Sequence, residues 1–444
     1  MIKFNETYLR IKRLLEEIHS SRIKQLARKK EDSSSWTRIR KMPLYAMLLC
    51  TLAKKGLSTV MELRHYFIEA ARIEQIVSKQ DYLKQRQKLN PEVFKHLNQS
   101  YLSQFYSGEE AVCWNGYIVL GIDMSKGEIP NSAENRKVYG ESENGHGKGV
   151  ARVSISILYD VFNGFMLDVD LDIYNGNEID QAKALVFAIK GIIGDRPVII
   201  LFDRGYVSLE FQDFLERSGV KYLMRLKSDA YKAEVQGMQS GDEEVSLLHN
   251  KNRMAKWRKK SPERWQEMSQ KSSTDVRMVR IAFKDEEQGM LITNLRESST
   301  KEIQDLYRKR WKVEEQYHTM KNKMKFESVT GNASIYVKQD FWAQMLVFNI
   351  IRDLIIKAEH EAKNKAREKS LRYEVRINEN IAIGLFKEQF IKLMLEEDED
   401  RKSAMFLSLI AEMERNILPI RKLKSSPRKR NKANKYKCNL KPSF

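Results

Sequence analysis

The sequence predicts an α/β core that is flanked by helical regions at both ends of the chain. Two short apolar runs, residues 117–123 and 197–203, each end in an aspartate and are typical of buried strands. Between them lie two alternating segments rich in β-branched residues, 150–161 and 164–174, and then a segment that predicts a helix, 178–192. The order is therefore three strands, one helix and a fourth strand, with a carboxylate at the end of the first and fourth strands.

The rest of the chain divides into segments that differ in glycine content, apolar spacing and polarity. The N-terminal part has few glycines and carries apolar residues at three- and four-residue spacing, which indicates helices. A polar stretch and a predicted hairpin interrupt the core before the chain becomes mainly helical again. The predicted segments are a helical region (1–108), the first part of the core (109–226), a β-rich insertion (227–296), the second part of the core (297–360) and a helical C-terminal region with a basic tail (361–444).

The charge balance points to a polyanionic partner. The net charge is +19, and neutralising phosphates with basic side chains releases counterions and favours binding. Charge alone leaves DNA only slightly ahead of ribosomal RNA or an anionic lipid surface. No acidic residue follows Glu414, whereas lysine and arginine continue to Lys441, so we expect this tail to contact phosphates without reading sequence. Its removal beyond about residue 420 should lower DNA affinity and its salt dependence.

Several classes of protein are disfavoured by the sequence. Cys50, Cys113 and Cys438 lie far apart, so neither a disulfide framework nor a zinc knuckle is expected, which suits a reducing cytoplasm. The N-terminal segment is amphipathic and does not resemble a secretory signal. No run of about 18 uncharged apolar residues occurs, so no membrane partner is expected.

The segment that begins at residue 299 carries the strongest pattern for chemistry. Ser299 and Glu302 form a capping box, which predicts a helix that starts near residue 300. On a regular helix the following four residues, at offsets 0, 3, 7 and 14, fall within roughly 60° of one another: Tyr307, Arg310, Glu314 and Lys321. One narrow stripe would then carry an aromatic hydroxyl, a guanidinium, a carboxylate and an ammonium.

A charged stripe of this kind also occurs on an ordinary solvated helix, and a pair such as Arg310 and Glu314 at four-residue spacing is common. The context favours chemistry, because two strands upstream end in Asp123 and Asp203. Three carboxylates suit hard, oxygen-seeking ions such as Mg²⁺. Basic groups beside them would hold a phosphodiester.

The spacing Y-x2-R-x3-E-x6-K at residues 307–321 resembles the signature of DDE transposases of insertion-sequence family four. DRGY (203–206) is similar to the second-aspartate motif of that family. GIDMSK (121–126) is similar to its first-aspartate segment, with Met124 and Ser125 in place of the common Gly-Thr or Gly-Ser. The resemblance runs from about residue 78 to 384.

This resemblance implies an RNase H-like core with a β-rich insertion. It implies that Asp123, Asp203 and Glu314 are catalytic and bind two Mg²⁺ ions, with Mn²⁺ as a substitute. The residues that it suggests for gripping DNA are Tyr307, Arg310, Lys321 and the Arg204 of DRGY. Lys84 and Arg86 are predicted to lie on a short basic helix that follows an N-cap at Ser78. This helix either contacts the DNA end or is a surface helix with a solvated basic face.

The activity that the resemblance implies is cut-and-paste transposition in the bacterial cytoplasm, on nucleoid DNA. A homodimer would bind the terminal inverted repeats in double-stranded DNA, cleave the DNA there by way of hairpin ends, and join the ends to target DNA. Two alternatives stay open: a transposase-derived DNA-binding protein without cleavage activity, and another RNase H-like nuclease such as a junction resolvase. Trp257 and Trp265 are either platforms for an extruded base or core residues of the insertion.

Overall fold

The computed structural model describes residues 6–30, 34–37, 41–143, 149–282 and 288–421. The basic tail that we expect to contact phosphates lies, beyond residue 421, outside the described residues. The helices are α1 (Glu6–Ile18), α2 (Ser21–Leu26), α3 (Leu44–Leu52), α4 (Thr59–Glu69), α5 (Lys79–Arg86), α6 (Glu92–Ser107), α7 (Ala133–Tyr139), α8 (Glu178–Ile193), α9 (Leu209–Arg217), α10 (Lys232–Gly237), α11 (Ala255–Lys260), α12 (Pro262–Ser269), α13 (Thr300–Arg308), α14 (Trp311–His318), α15 (Ser334–Glu368), α16 (Glu379–Leu395) and α17 (Glu399–Arg415). The strands are β1 (Ile118–Glu128), β2 (Glu141–Glu143), β3 (Gly149–Asp160), β4 (Met166–Ile173), β5 (Val198–Phe202), β6 (Lys221–Arg225), β7 (Asp242–Leu248), β8 (Ser273–Ala282), β9 (Gln288–Thr293), β10 (Val375–Ile377) and β11 (Ile417–Pro419).

The chain forms two compact units, each built from segments that are distant in sequence. Unit 1 contains residues 1–105, 127–153 and 318–444, and unit 2 contains residues 106–126 and 154–317. No helix of the described ranges is long and apolar enough to cross a membrane.

Unit 2 is organised around a mixed sheet. Among the described strands the order is β4–β3–β1–β5–β6–β9–β8–β7. The first residues of β3, which pair with β2, belong to unit 1. Strands β1, β5 and β6 are parallel, and α8 and α9 supply the crossovers that parallel neighbours require. This topology confirms the predicted RNase H-like α/β core.

The segment predicted as an insertion continues this sheet. Strands β9, β8 and β7 follow β6 with antiparallel pairing, and short helices α10–α12 lie between them in sequence. The predicted hairpin at 276–295 is present as β8 and β9, although the residues that join them lie outside the described ranges. Strand β5 is buried along its whole length, so the apolar run before Asp203 forms the centre of the core.

Unit 1 is built on the 35-residue helix α15, which contacts α1, α3, α16 and α17. Two aspartates of α15 are buried and paired. Asp353 accepts from Arg10 at 2.8 Å and from the Tyr101 hydroxyl at 2.8 Å. Asp340 accepts from Lys54 at 2.9 Å and from the guanidinium of Arg86. Buried charges are tolerated only when they are paired in this way.

Candidate active site

Parallel pairing of β1 with β5 brings Asp123 and Asp203 to the same edge of the sheet. Ile118 pairs with Val198, and each paired residue of β5 is numbered 80 higher than its partner in β1. Asp123 and Asp203 also differ by 80, and each lies two residues beyond the last pair, Gly121 with Leu201. The prediction that the first strand ends at Asp123 is wrong, because β1 continues to Glu128. Asp203 does directly follow the end of β5.

The carboxylate of Glu314 reaches the site on α14, which is separate from α13. The capping box of Ser299 and Glu302 is present and starts α13. The prediction of one regular helix is wrong, since α13 ends at Arg308 and α14 begins at Trp311. At this break the amide of Arg310 donates to the carbonyl of Tyr307 at 3.0 Å, an i to i−3 bond that tightens the turn.

Lys321, the last member of the predicted stripe, lies in a π-helical turn at Thr319–Lys323 and belongs to unit 1. Its ammonium is 3.9 Å from the carboxylate of Glu327. A π-turn changes the angular spacing of residues, so the single stripe predicted for a regular helix does not form. A contact between Lys321 and DNA stays a prediction.

Two tyrosines hold α13 and α14 against the aspartate strands. The Tyr317 hydroxyl donates to the backbone carbonyls of Asp123 at 2.6 Å and Ile155 at 3.0 Å. The Tyr307 hydroxyl donates to the carbonyl of Phe202 at 3.3 Å, and the side chain is 5% exposed. The prediction that Tyr307 grips DNA is therefore corrected: its hydroxyl is buried and fixes the backbone next to Asp203.

The close packing of α14 on β1 depends on a glycine. A Cβ on Gly121 would lie 2.4 Å from Cγ2 of Val313, one residue before Glu314. Real Cβ atoms do not approach that closely, so a side chain at residue 121 would displace α14. Gly121 thus determines how near Glu314 stands to the sheet.

Arg310 is the basic group at the centre of the site. Its Nη2 donates to Oε1 of Glu314 at 2.7 Å, whereas its buried Nη1 has no hydrogen-bond partner among the described residues. Burial by itself would lower the pKa of this guanidinium. The Tyr307 hydroxyl and the hydrogen bond to Glu314 outweigh burial, and the negative charge of Asp203 adds to them, so the pKa is raised.

The environment of Asp123 makes its carboxyl easier to protonate than a carboxyl in water. Burial raises its pKa to about 6. A hydrogen bond from the Met124 amide and the charge of Arg310 act against this rise. The charges of Glu314 and Asp203 contribute to it. The three predicted acids therefore share one electrostatic neighbourhood within unit 2.

The three carboxylates are not gathered around one point. Among the described residues, no three histidine, cysteine, aspartate or glutamate side chains lie close enough to hold a metal ion. Glu314 is instead hydrogen-bonded to Arg310, and like charges brought close together repel one another. The donor set of carboxylate oxygens fits a hard divalent cation. The charge of such a cation would oppose both burial and the repulsion from Glu314 and Asp203, which together raise the pKa of Asp123.

A basic cavity of about 470 Å³ lies next to the second aspartate. Four basic residues line it: Arg204, Arg225, Lys227 and Arg280. Arg204 was predicted as a DNA contact and stays a prediction, while the other three were missed. Arg225 and Lys227 could have been predicted from the sequence. Arg225 is the last residue of β6 and Lys227 follows it, and β6 is the parallel neighbour of β5.

The two basic residues predicted on α5 differ in exposure. The N-cap at Ser78 is present and accepts from the Asp81 amide at 3.1 Å. Lys84 is exposed, so a DNA contact there stays a prediction. The prediction for Arg86 is wrong: the side chain is 1% exposed and its guanidinium is paired with Asp340.

Trp257 was expected to be either a platform for an extruded base or a core residue of the insertion. It is a buried core residue.

The sequence model of the transposase DDE domain family matches residues 123–350, slightly more than half of the chain, and the chain belongs to this family. It is thus a metal-dependent enzyme of the DDE transposase class. Among its relatives is the transposase InsG for insertion sequence element IS4 of Escherichia coli (strain K12), 22% identical over 344 residues that cover 74% of each chain. This match confirms the predicted resemblance to insertion-sequence family four.

A solved structure of the piggyBac transposase, a synaptic complex with hairpin DNA, also resembles this chain. The identity is 11%, the TM-score is 0.40, and the match covers 92% of this chain and 86% of the other. A likeness of this degree concerns only the fold.

Proposed function

We propose that the chain is a cut-and-paste transposase that binds the terminal inverted repeats of its own element, cleaves the DNA at those ends and joins them to target DNA. The catalytic acids are Asp123, Asp203 and Glu314. The substrate is double-stranded DNA, and a homodimer that bridges two ends in the cytoplasm is the working assembly.

The observation that carries this proposal is the register of β1 on β5, which sets two aspartates of distant sequence at one edge of a sheet. The hydrogen bond of 2.7 Å between Arg310 and Glu314 supports it, because it brings a third carboxylate and a phosphate-binding group to the same unit. Ligands bind at this edge of open α/β sheets in general.

The three carboxylates would hold two divalent cations, Mg²⁺ or Mn²⁺. When bound, the cation pair stabilises the charge that develops on the attacking and leaving oxygens of an in-line displacement. Arg310, with one amino group unpartnered, binds a non-bridging phosphate oxygen when Glu314 turns toward the cations. The basic cavity beside Asp203 holds the flanking backbone.

In the first step the oxygen of a water attacks phosphorus, the bond to the 3′ oxygen breaks, and a 3′-hydroxyl and a 5′-phosphate result. In the second step that 3′-hydroxyl attacks another phosphodiester and displaces its 3′ oxygen. Attack on the opposite strand of the same end gives a hairpin, which water then opens. Attack on target DNA completes insertion with the number of phosphodiester bonds unchanged.

The test uses the full chain, Mg²⁺ or Mn²⁺, and a duplex that carries the inverted repeats flanking the reading frame. We expect nicks at the repeat ends with wild type and none with Asp203→Asn or Glu314→Gln, while both variants still bind the duplex. Asp305→Asn, an exposed residue of α13 that pairs with Arg308, is the matched control and should cleave normally.

The same assay separates the alternatives. Binding of the repeats without metal-dependent cleavage would instead support a DNA-binding protein derived from a transposase. Cleavage that follows branch structure and ignores the end sequence would support another RNase H-like nuclease. Either result would overturn the proposal.

A further inference from the structure

Glu178, the first residue of α8, points to an additional component of the site. Its carboxylate lies against DRGY: a Cβ on Gly205 would be 2.9 Å from Oε2 of Glu178. The glycine of this motif therefore leaves room for an acidic side chain. No pattern in the sequence around residue 178 indicates this contact.

The contact places Glu178 close to one of the proposed acids along the chain. Gly205 stands two residues after Asp203, and α8 contacts the turn formed by residues 204–206. Burial raises the pKa of Tyr206, the next residue, well above its ordinary value, and the charge of Glu178 adds to this rise. The carboxylate of Glu178 therefore lies against the segment that carries Asp203.

Glu178 differs from Asp180 and Glu210 in having no cationic partner among the described residues. Asp180, two residues along α8, pairs with Lys260 at 2.9 Å, and Glu210 pairs with Lys183. No basic side chain of the described ranges pairs with the half-buried Glu178. A carboxylate that is partly removed from water without a counter-charge is unfavourable unless a cation is supplied.

A second observation points to a missing ligand at this place. The Tyr206 hydroxyl is fully buried and has no hydrogen-bond partner among the described residues. Tyr206 directly follows Gly205, the residue against which the Glu178 carboxylate lies. Buried polar groups are satisfied in most proteins, and an orphaned one is accounted for by a bound ion or water.

We propose that Glu178 is a fourth acidic residue of the site and holds a divalent cation beside the DRGY segment that begins at Asp203. The inference rests on the proposed function, since it assumes that the other acids bind cations. Carboxylate oxygens select hard ions, so Mg²⁺ and Mn²⁺ are the expected occupants. The orphaned hydroxyl of Tyr206 would be satisfied by the water shell of that ion.

Mn²⁺ binding to the full-length chain, followed by the paramagnetic resonance signal of free Mn²⁺, tests this inference without an activity assay. We expect two ions per chain for wild type, and for Glu178→Gln either one ion or a second ion bound at least about tenfold more weakly. Glu178→Asp should give an intermediate result. Asp180→Asn, on the same helix, should match wild type. Far-UV circular dichroism without metal checks that each variant is folded.

The outcomes distinguish the inference from the function on which it rests. Glu178→Gln with wild-type stoichiometry and affinity overturns the role of Glu178, and the loss of binding in Asp203→Asn would then leave the proposed function intact. Wild-type Mn²⁺ binding by Asp203→Asn, or no binding by wild type, overturns both.

Discussion

Arg310 donates a hydrogen bond of 2.7 Å from Nη2 to Oε1 of Glu314, so the proposed metal ligand is held by a cation of the chain itself. This contact opposes coordination, because Glu314 must leave the guanidinium to reach a metal ion. The exchange would release the guanidinium for a phosphate. We expect the two events to be coupled.

Arg310→Ala should therefore separate metal binding from catalysis. Loss of the guanidinium leaves the carboxylates less neutralised, so Mn²⁺ should bind as tightly as in wild type or more tightly. Cleavage of end DNA should fall about 10²–10³-fold, as for other lost transition-state donors. Calorimetric titration and single-turnover cleavage measure the two effects. Weaker Mn²⁺ binding, or undiminished cleavage, would contradict the role given to Arg310.

Gly121→Ala should destabilise unit 2 through a clash with Val313. The added Cβ would stand 2.4 Å from Cγ2, and overpacking of this kind costs about 1–3 kcal/mol in the free energy of unfolding. Val313→Ala on the same chain should restore part of the loss. Urea denaturation of both single variants and the double variant gives the coupling, and purely additive effects would rule out the packing described here.

The basic cavity should contribute electrostatically to DNA binding. Lys227→Ala should weaken binding at every sequence alike and reduce the slope of log affinity against log salt by about 1. Lys190→Ala is the control, since that lysine is exposed on α8 and pairs with Asp195. Fluorescence anisotropy over a salt series gives both slopes. Equal slopes for the two variants would show that the basic cavity does not contact DNA.

Asp340→Asn should be among the most destabilising substitutions in unit 1. It removes the counter-charge of Lys54 and Arg86, both buried, and breaking a buried pair costs about 3–5 kcal/mol. Glu361→Gln, which breaks an exposed pair with Lys357, should cost less than about 1 kcal/mol. Chemical denaturation compares the two variants, and similar losses would contradict a buried network.

The contribution of Asp340 should also depend on pH. Burial would raise its pKa, but the charges of Arg86 and Lys54 outweigh burial and lower the pKa to about 2. A folded-state pKa below the unfolded value gives stability that is present above about pH 4 and lost as pH falls toward 2. The difference in unfolding free energy between wild type and Asp340→Asn should shrink over that range. A constant difference from pH 6 to 3 would argue against this titration.

Two of the elements around the proposed acids could be predicted because local patterns determine them. An apolar run before Asp203 produces a buried strand, and the capping box at Ser299 starts a helix whatever surrounds it. The register that joins Asp123 to Asp203 was only implied by the family resemblance, since it arises from pairing between strands 80 residues apart.

The failures have tertiary causes. Arg86 follows a good N-cap and looks like a surface residue, yet Asp340, 254 residues away, draws it into the core. Helical periodicity could not reveal the break before Trp311 or the π-turn at residues 319–323, because propensity there does not oppose a continuous helix. Glu178 gave no signal, since its contact with Gly205 depends on the fold.

The location of Mn²⁺ in crystals of the full-length protein, found by anomalous scattering, is the decisive measurement for the proposed site. We expect Asp123, Asp203 and Glu314 to close on the ions and Glu314 to have left Arg310. Density for Mn²⁺ elsewhere, or three carboxylates that stay apart at saturating Mn²⁺ with end DNA bound, would contradict it.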